Sequence, residues 1–351
     1  MKYTNLNPFD HGTTIVSYAS IPENESSRLI AIIEEGWGIN DISKISRVSE
    51  GSEKRGNAFR VESETRYLLK RSRIEDAPAQ SVINNCMMYC GERGILVPRP
   101  VPTSSGTVYS LGENIFCLYN FIEGEHFDGS QRELRNIAVE IAKLHWALKG
   151  NPYEDEIKRI RGRSVKHDSV LLEEAIKKAR ESGGRTEFDS YVLSILDEIG
   201  EHVRAITATN LEKLPSQTIH NDLQPHNALF DGDTQEVRAT VDFDSLCYAQ
   251  RVRDVGFAMH RFARTYGERT ERKNGIGEDM KERARIFIDT YSDSNTLTDE
   301  EITALPLIIQ ENALQRIIGT LIDHYLKHDT SWDFDLRKQV ITLREAALFS
   351  F

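Results

Sequence analysis

TIHNDLQPHNALFDGDTQEVRATVDFDS, residues 218–245, concentrates the chemistry of this chain. It sets Asp222 two residues after His220, Asn227 five residues after Asp222, and Asp242 fifteen residues further, behind the run Ala239-Thr240-Val241. A phosphoryl-transfer site asks for these residue types. One carboxylate orients a hydroxyl nucleophile and accepts its proton, while an amide oxygen and a second carboxylate hold the magnesium that neutralises the phosphates. Hard oxygen ligands suit magnesium, with water and phosphate oxygens completing the octahedron. Asp222, Asn227 and Asp242 are the residues this stretch offers for those tasks. Asp244 either assists the metal or caps the following turn.

Upstream, such a site needs a strand lysine for the α- and β-phosphates. RYLLKRS (66–72) supplies Lys70. Alternation and β-branched residues also predict strands over ISKISRV (42–48) and NAFRVES (57–63). Between them SEGSEKRG reads as a flexible hairpin with two glycines, and its Ser49 and Gly51 are candidate nucleotide contacts. Residues 24–36 read as a helix with Leu29, Ile32 and Ile33 on one face and Gly36 as its stop. A second helix is expected over 79–93, followed by the proline-rich VPRPVPTSSG and two strands, TVYSL and NIFCLYNFI. From about 131 the period becomes helical, with Leu134, Ile137, Ile141, Leu144 and Leu148 sharing a face. Further helices are expected over 168–182, 187–207, 279–293 and 308–328, with short strands and loops over 218–247. After Thr298, the acidic run Asp299-Glu300-Glu301 reads as a helix first turn, where negative charge complements the dipole. A strand-rich part thus precedes a larger helical one, and the cleft between them is the natural ligand site.

The order of hairpin, lysine strand, helix, hinge, H-x-D-x4-N and aspartate resembles the aminoglycoside phosphotransferase and choline kinase superfamily. The pieces that carry the resemblance are NAFRV, YLLKR, GILVPRP, CLYNFIEGE, IAKLH, IHNDLQPHNALF, VDFDS and RVRDVGFA, spread from about residue 45 to 330. The resemblance implies a bilobal, protein-kinase-like α+β fold. It has a small antiparallel-sheet N-lobe with a leading helix (1–122) and a larger, mainly helical C-lobe (123–351) for catalysis and acceptor binding. It implies ATP or GTP as co-substrate with Mg²⁺, Asp222 as the catalytic base, Asn227 and Asp242 as the magnesium ligands, Lys70 as the phosphate lysine, and the backbones of Asn120 and Ile122 against the purine. Asp254 would brace the catalytic loop. One departure stands out: family members often pair the lysine with a glutamate on the first N-lobe helix, and here SVINNCMMY has no acid. Glu75 and Asp76, in the preceding loop, are the nearest substitutes.

The bulk properties agree with such an enzyme. The net charge of -11 disfavours nucleic acid or an anionic membrane as the main partner. The four cysteines, Cys86, Cys90, Cys117 and Cys247, are too few to build a disulfide fold and indicate a reducing cytoplasm. Cys86 and Cys90 read as helix packing residues, and His145 as a core histidine. The N-terminus reads as free of a signal peptide, and no apolar run suits a membrane span. Two competing readings weigh less. His220, His226 and Asp222 as zinc ligands would leave Asn227 and Asp242 unexplained. A protein kinase needs more than the twelve residues from Asp242 to Asp254 for its activation segment. A catalytically silent binding or coat protein stays open as an alternative, although all three site residues are intact. The expected acceptor is a small hydroxyl compound: an amino sugar, a sugar or an amino alcohol such as choline or homoserine. Asp323, Glu311, Asp333 and Asp335 are candidates to pair with its amine, and Trp332, Tyr325 and Phe334 to stack on it.

Overall fold

The computed structural model describes residues 17–49, 57–74, 76–162, 169–207, 209, 211–264 and 278–351. Its N-terminal part runs β1 (Ser17–Ser20), α1 (Glu23–Trp37), β2 (Lys44–Ser49), β3 (Ala58–Glu62), β4 (Arg66–Arg71), α2 (Ala77–Glu92), β5 (Tyr109–Leu111) and β6 (Asn114–Asn120). The strands form one antiparallel sheet in the order β1-β2-β3-β4-β6-β5. Successive side chains of a strand face opposite sides, and β6 uses both. Phe116 and Leu118 join Leu29, Ile32 and Ile33 of α1 in one cluster. Cys117 and Tyr119 meet Val82, Ile83, Cys86 and Met87 of α2 in the other. Cys86 and Cys90 are buried there as free thiols. The short polar strand β1 escaped the sequence reading, because Ser-Tyr-Ala-Ser carries no apolar alternation.

The C-terminal part holds β7 (Glu125–His126), α3 (Gln131–Leu148), α4 (Glu154–Arg161), α5 (Ser169–Ser182), α6 (Glu187–Thr207), and β8 (Ser216–Ile219). Then come β9 (Ala228–Phe230), β10 (Val237–Thr240), β11 (Cys247–Gln250) and α7 (Val252–Ala263). Three helices complete it: α8 (Glu278–Ser294), α9 (Asp299–Leu326) and α10 (Leu336–Ala346). The helix expected from 308 begins nine residues earlier and runs through Pro306. Its start is fixed by a capping box: Thr298 accepts from the Glu301 amide and Glu301 reaches back to the Thr298 amide. The acidic first turn read from the sequence is this one.

Helix α9 packs against α5, α6, α7 and α10, and α3 packs against α8. Two buried ion pairs fasten α9 to the start of α7: Arg251 with Glu301 at 2.6 Å, and Arg253 with Glu311. Glu311 is fully buried and also accepts from Gln315, so it does not offer a carboxylate to an acceptor amine. Among the described residues no helix is long and apolar enough to cross a membrane.

Candidate active site

Strand β8 delivers the chain to His220, and the loop beyond it turns through a 3-10 segment, Pro225–Asn227, into β9. Asn221 adopts φ 64°, in the left-handed region that asparagine tolerates better than most residues. The loop is held by Asp254 in the first turn of α7. Its two carboxylate oxygens accept the amide hydrogens of His220 and Asn221, each at 2.7 Å. His145 Nε2 lies 3.1 Å from the same carboxylate, and His145 Nδ1 lies 2.7 Å from the Tyr291 hydroxyl. Asp254 and His145 are fully buried, so α3, α7 and α8 all converge on the backbone of one loop. His220 Nε2 donates to the Val241 carbonyl (3.0 Å), and Nδ1 accepts the Asp222 amide hydrogen (3.3 Å). With both ring nitrogens so engaged, this imidazole has no lone pair left for zinc.

Asp222 takes hydrogen bonds from Gln224 Nε2 at 3.1 and 3.2 Å and from Asn227 Nδ2 at 3.0 Å. Burial pushes its pKa above the ordinary aspartate value; Arg316 and His220 oppose the shift and Asp242 adds to it. Asn227 Nδ2 also donates to the Asp222 carbonyl, at 2.8 Å. The amide oxygen of Asn227 is therefore turned away from Asp222. Asp242 sits at φ 63°, ψ 68°, just before a 3-10 turn (Phe243–Ser245).

Lys70 reaches from β4 to Asp242 Oδ1 at 2.5 Å and to Asp244 Oδ2 at 2.9 Å. Burial opposes charge on this ammonium, but the two carboxylates outweigh it and raise its pKa. For Asp242 burial acts upward, and Lys70 first among its neighbours carries the net shift downward. Among the described residues Lys70 pairs with these two acids and with none on α2. Asp76 serves as the N-cap residue of α2, and Glu75 lies outside the described residues. Where an acid was sought on α2, Gln80 and Asn84 are buried and hydrogen-bonded to each other at 3.1 Å.

The Asp244 Oδ2 atom is buried and outside hydrogen-bond geometry despite its nearness to Lys70. Asp242 and Asp244 are two hard carboxylates sharing one ammonium, and such a pair fits a magnesium ion. Among the described residues no group of three or more His, Cys, Asp or Glu could hold a metal. A magnesium here would draw on these two carboxylates and on the Asn227 amide oxygen, with phosphate oxygens needed to complete its shell.

The other nucleotide candidates are placed unevenly. The Asn120 amide donates to the Arg99 carbonyl at 3.0 Å and the Phe121 amide to the Arg66 carbonyl at 3.0 Å. The Asn120 amide is therefore spent within the protein. The Ile122 amide has no backbone acceptor among the described residues. Ser49 ends β2, and Gly51 lies outside the described residues.

The acids predicted for an acceptor amine have partners of their own. Asp333 meets His324 at 2.9 Å, Asp323 meets Lys327 at 2.8 Å, and Asp335 accepts from Gln339 at 2.7 Å. The Tyr325 hydroxyl donates to Asp189 at 2.8 Å. Trp332 and Phe334 are exposed and stack on each other, 5.8 Å between centroids. Sequence reasoning passed over Arg261, Arg316 and Lys338, cations on α7, α9 and α10 whose charges act on one another. Arginine and lysine on helices give no spacing signal, and their convergence is tertiary.

The model of the phosphotransferase enzyme family matches residues 44–287. A homoserine kinase of Rhizobium meliloti strain 1021 is 27% identical over 312 residues, covering 87% of this chain and 86% of that protein. An amicoumacin kinase solved with AMP-PNP, Ca²⁺ and Ami superposes with a TM-score of 0.64 at 15% identity, over 94% of this chain and 96% of that one. An aminoglycoside phosphotransferase from Alicyclobacillus acidocaldarius gives a TM-score of 0.60 at 18% identity, over 95% of each chain. At these identities the solved structures speak for the fold alone: bilobal and protein-kinase-like.

Proposed function

This chain belongs to the phosphotransferase enzyme family, and from that premise we propose that it is a small-molecule kinase moving the γ-phosphate of ATP or GTP to a hydroxyl of a small acceptor. The observation that carries the reading is the meeting of Lys70 with Asp242 and Asp244, beside a loop that joins Asp222 to Asn227. In the reaction the acceptor oxygen bonds to the γ-phosphorus, and the bond from that phosphorus to the β,γ-bridging oxygen breaks, releasing the nucleoside diphosphate. The hydroxyl proton passes to an Asp222 carboxylate oxygen. Gln224 and Asn227 fix that carboxylate by three hydrogen bonds, so its aim is set before the acceptor arrives. Asn227, Asp242 and Asp244 would hold magnesium, which supplies positive charge against the phosphates. Lys70 would hold the α- and β-phosphates. The nucleotide would sit between residues 1–122 and 123–351, with its purine at the Asn120 carbonyl and the Ile122 amide, and Ser49 and Gly51 nearby.

Homoserine, named in the relatives, offers a primary hydroxyl and is the first acceptor to test. Coupled assay of purified protein should give acceptor-dependent ADP or GDP release that requires magnesium, and calorimetry should find nucleotide binding weak without it. Metal-independent binding with no magnesium-dependent turnover on any sugar, aminoglycoside or amino alcohol would sink the reading in favour of a silent binding protein.

Lys70→Met tests the phosphate contact separately. A hydrogen bond to a charged group contributes about 1.5–3 kcal/mol, so KM for ATP should rise roughly tenfold to hundredfold. Magnesium alone should bind the variant more tightly, since the competing ammonium is gone from Asp242 and Asp244. An unchanged KM for ATP would assign the phosphates to another cation.

A further inference from the structure

The helices beside Asp222 carry a charge arrangement that phosphoryl transfer does not use. Arg261, in the last turn of α7, is only 3% exposed, and its Nε and Nη1 have no hydrogen-bond partner. Its guanidinium lies against the Phe257 ring, 5.1 Å from the centroid. Lys338 on α10 keeps 18% of its side chain exposed, and its carboxylate neighbour, Asp335 Oδ1, is 3.9 Å away. Arg316 on α9 is exposed and adds its charge to Arg261, Lys338 and Asp222 alike. Nearby Arg264 and His260 share Glu345 and bring the cluster no spare negative charge. Burial first, then Arg316, lowers Arg261 to about 10, with Asp335 and Asp222 opposing. Burial first, then Arg261, lowers Lys338 to about 7. A guanidinium taken from water without acceptors is costly, and such a group invites a ligand that supplies them.

We propose that Arg261, supported by Lys338 and Arg316, binds a carboxylate of the acceptor, so that the substrate class is a small hydroxy acid rather than a polycationic amino sugar. The proposal rests on the phosphotransferase reading above. A carboxylate meets a guanidinium through a parallel pair of N–H groups, Nη2 with Nε or Nη2 with Nη1, and on either side it would satisfy one of the two nitrogens that lack a partner. Asp335 and Asp222 lie within reach of the same charges, which disfavours a dianionic phosphate. Arg316 and Arg261 each interact electrostatically with Asp222, so the carboxylate site belongs to the same charge cluster as the proposed base.

The test compares L-homoserine, 4-hydroxybutyrate, which lacks the amine, and 3-aminopropan-1-ol, which lacks the carboxylate, with wild-type protein, ATP and magnesium. Both acids should be phosphorylated. The alcohol should show kcat/KM about hundredfold lower or worse, since a site built for a polar group rejects the analogue without it. Arg261→Met should raise KM for the acid roughly tenfold to hundredfold, one charge-assisted pair. It should leave KM for ATP unchanged and hold or raise Tm, since an unpaired buried charge is gone. Lys338→Met should give the same split on a less buried side chain. Equal or better use of 3-aminopropan-1-ol or kanamycin overturns the carboxylate site while leaving the kinase reading intact. So does an unaltered acceptor KM in both variants. If neither acid is phosphorylated yet either raises the Tm of wild type and not of Arg261→Met, the carboxylate site stands and the kinase reading falls. No turnover and no Arg261-dependent shift with either acid overturns the proposal.

Discussion

Asp222→Asn should lower kcat about 10²–10⁴-fold, the usual contribution of a general base, and leave KM for the nucleotide nearly unchanged. The substitution keeps the shape of the side chain and its place on the loop. It removes the proton acceptor and one negative charge. Asp254, not Asp222, holds the loop backbone, so the fold should survive and the loss should appear in turnover alone. The pH profile adds a second readout. Burial raises the Asp222 pKa, and only the ionised form accepts a proton. The wild-type rate should therefore climb with pH through a limb lying above the ordinary aspartate range, and that limb should vanish in the variant. Near wild-type turnover by Asp222→Asn on its true acceptor removes the residue from catalysis.

Asp242→Asn should behave differently. Asparagine tolerates left-handed backbone about as well as aspartate, so the φ of 63° at this position adds no strain. What changes is charge at the proposed metal position. The magnesium concentration for half-maximal rate should rise, and kcat/KM for ATP should fall about 10²–10³-fold, the scale for losing one charge-stabilising contact. Asp242 also helps raise the Asp222 pKa. Removing its charge should move the acid limb of the rate profile to lower pH, the opposite of a generic loss of structure. A variant with normal magnesium dependence and an unmoved limb would place the metal elsewhere.

The parts of the site that lie close in sequence were legible. The spacing from His220 to Asn227 and on to Asp242 is local, and the loop chemistry that needs it is demanding. Asp254 as a brace and His145 as a core residue also stand as read. Pairing across distance is not legible in the same way. The sequence shows no acid on α2 and offers Glu75 and Asp76 as substitutes, whereas Lys70 meets Asp242 and Asp244, 172 residues away for the first. The acids assigned to an acceptor amine, Glu311, Asp323, Asp333 and Asp335, are answered by Arg253, Lys327, His324 and Gln339. Charge in a sequence does not tell which partner burial will choose. The helical period is read only from 308, whereas the helix starts at Asp299, at the acidic first turn that Thr298 caps, and Pro306 lies within it.

The ammonium between Asp242 and Asp244 has a thermodynamic corollary. On the proposed roles, Lys70 gives up two carboxylates and gains phosphate oxygens, while the carboxylates give up an ammonium and gain a metal. Neither half of that exchange is favourable alone: free nucleotide would face two bared acids, and free metal would displace Lys70 with nothing to receive it. Metal and nucleotide therefore share a coupling free energy. Such coupling is reciprocal, each strengthening the other's binding by the same factor. On those roles the protein would discriminate between a bare triphosphate and its metal complex before any acceptor arrives.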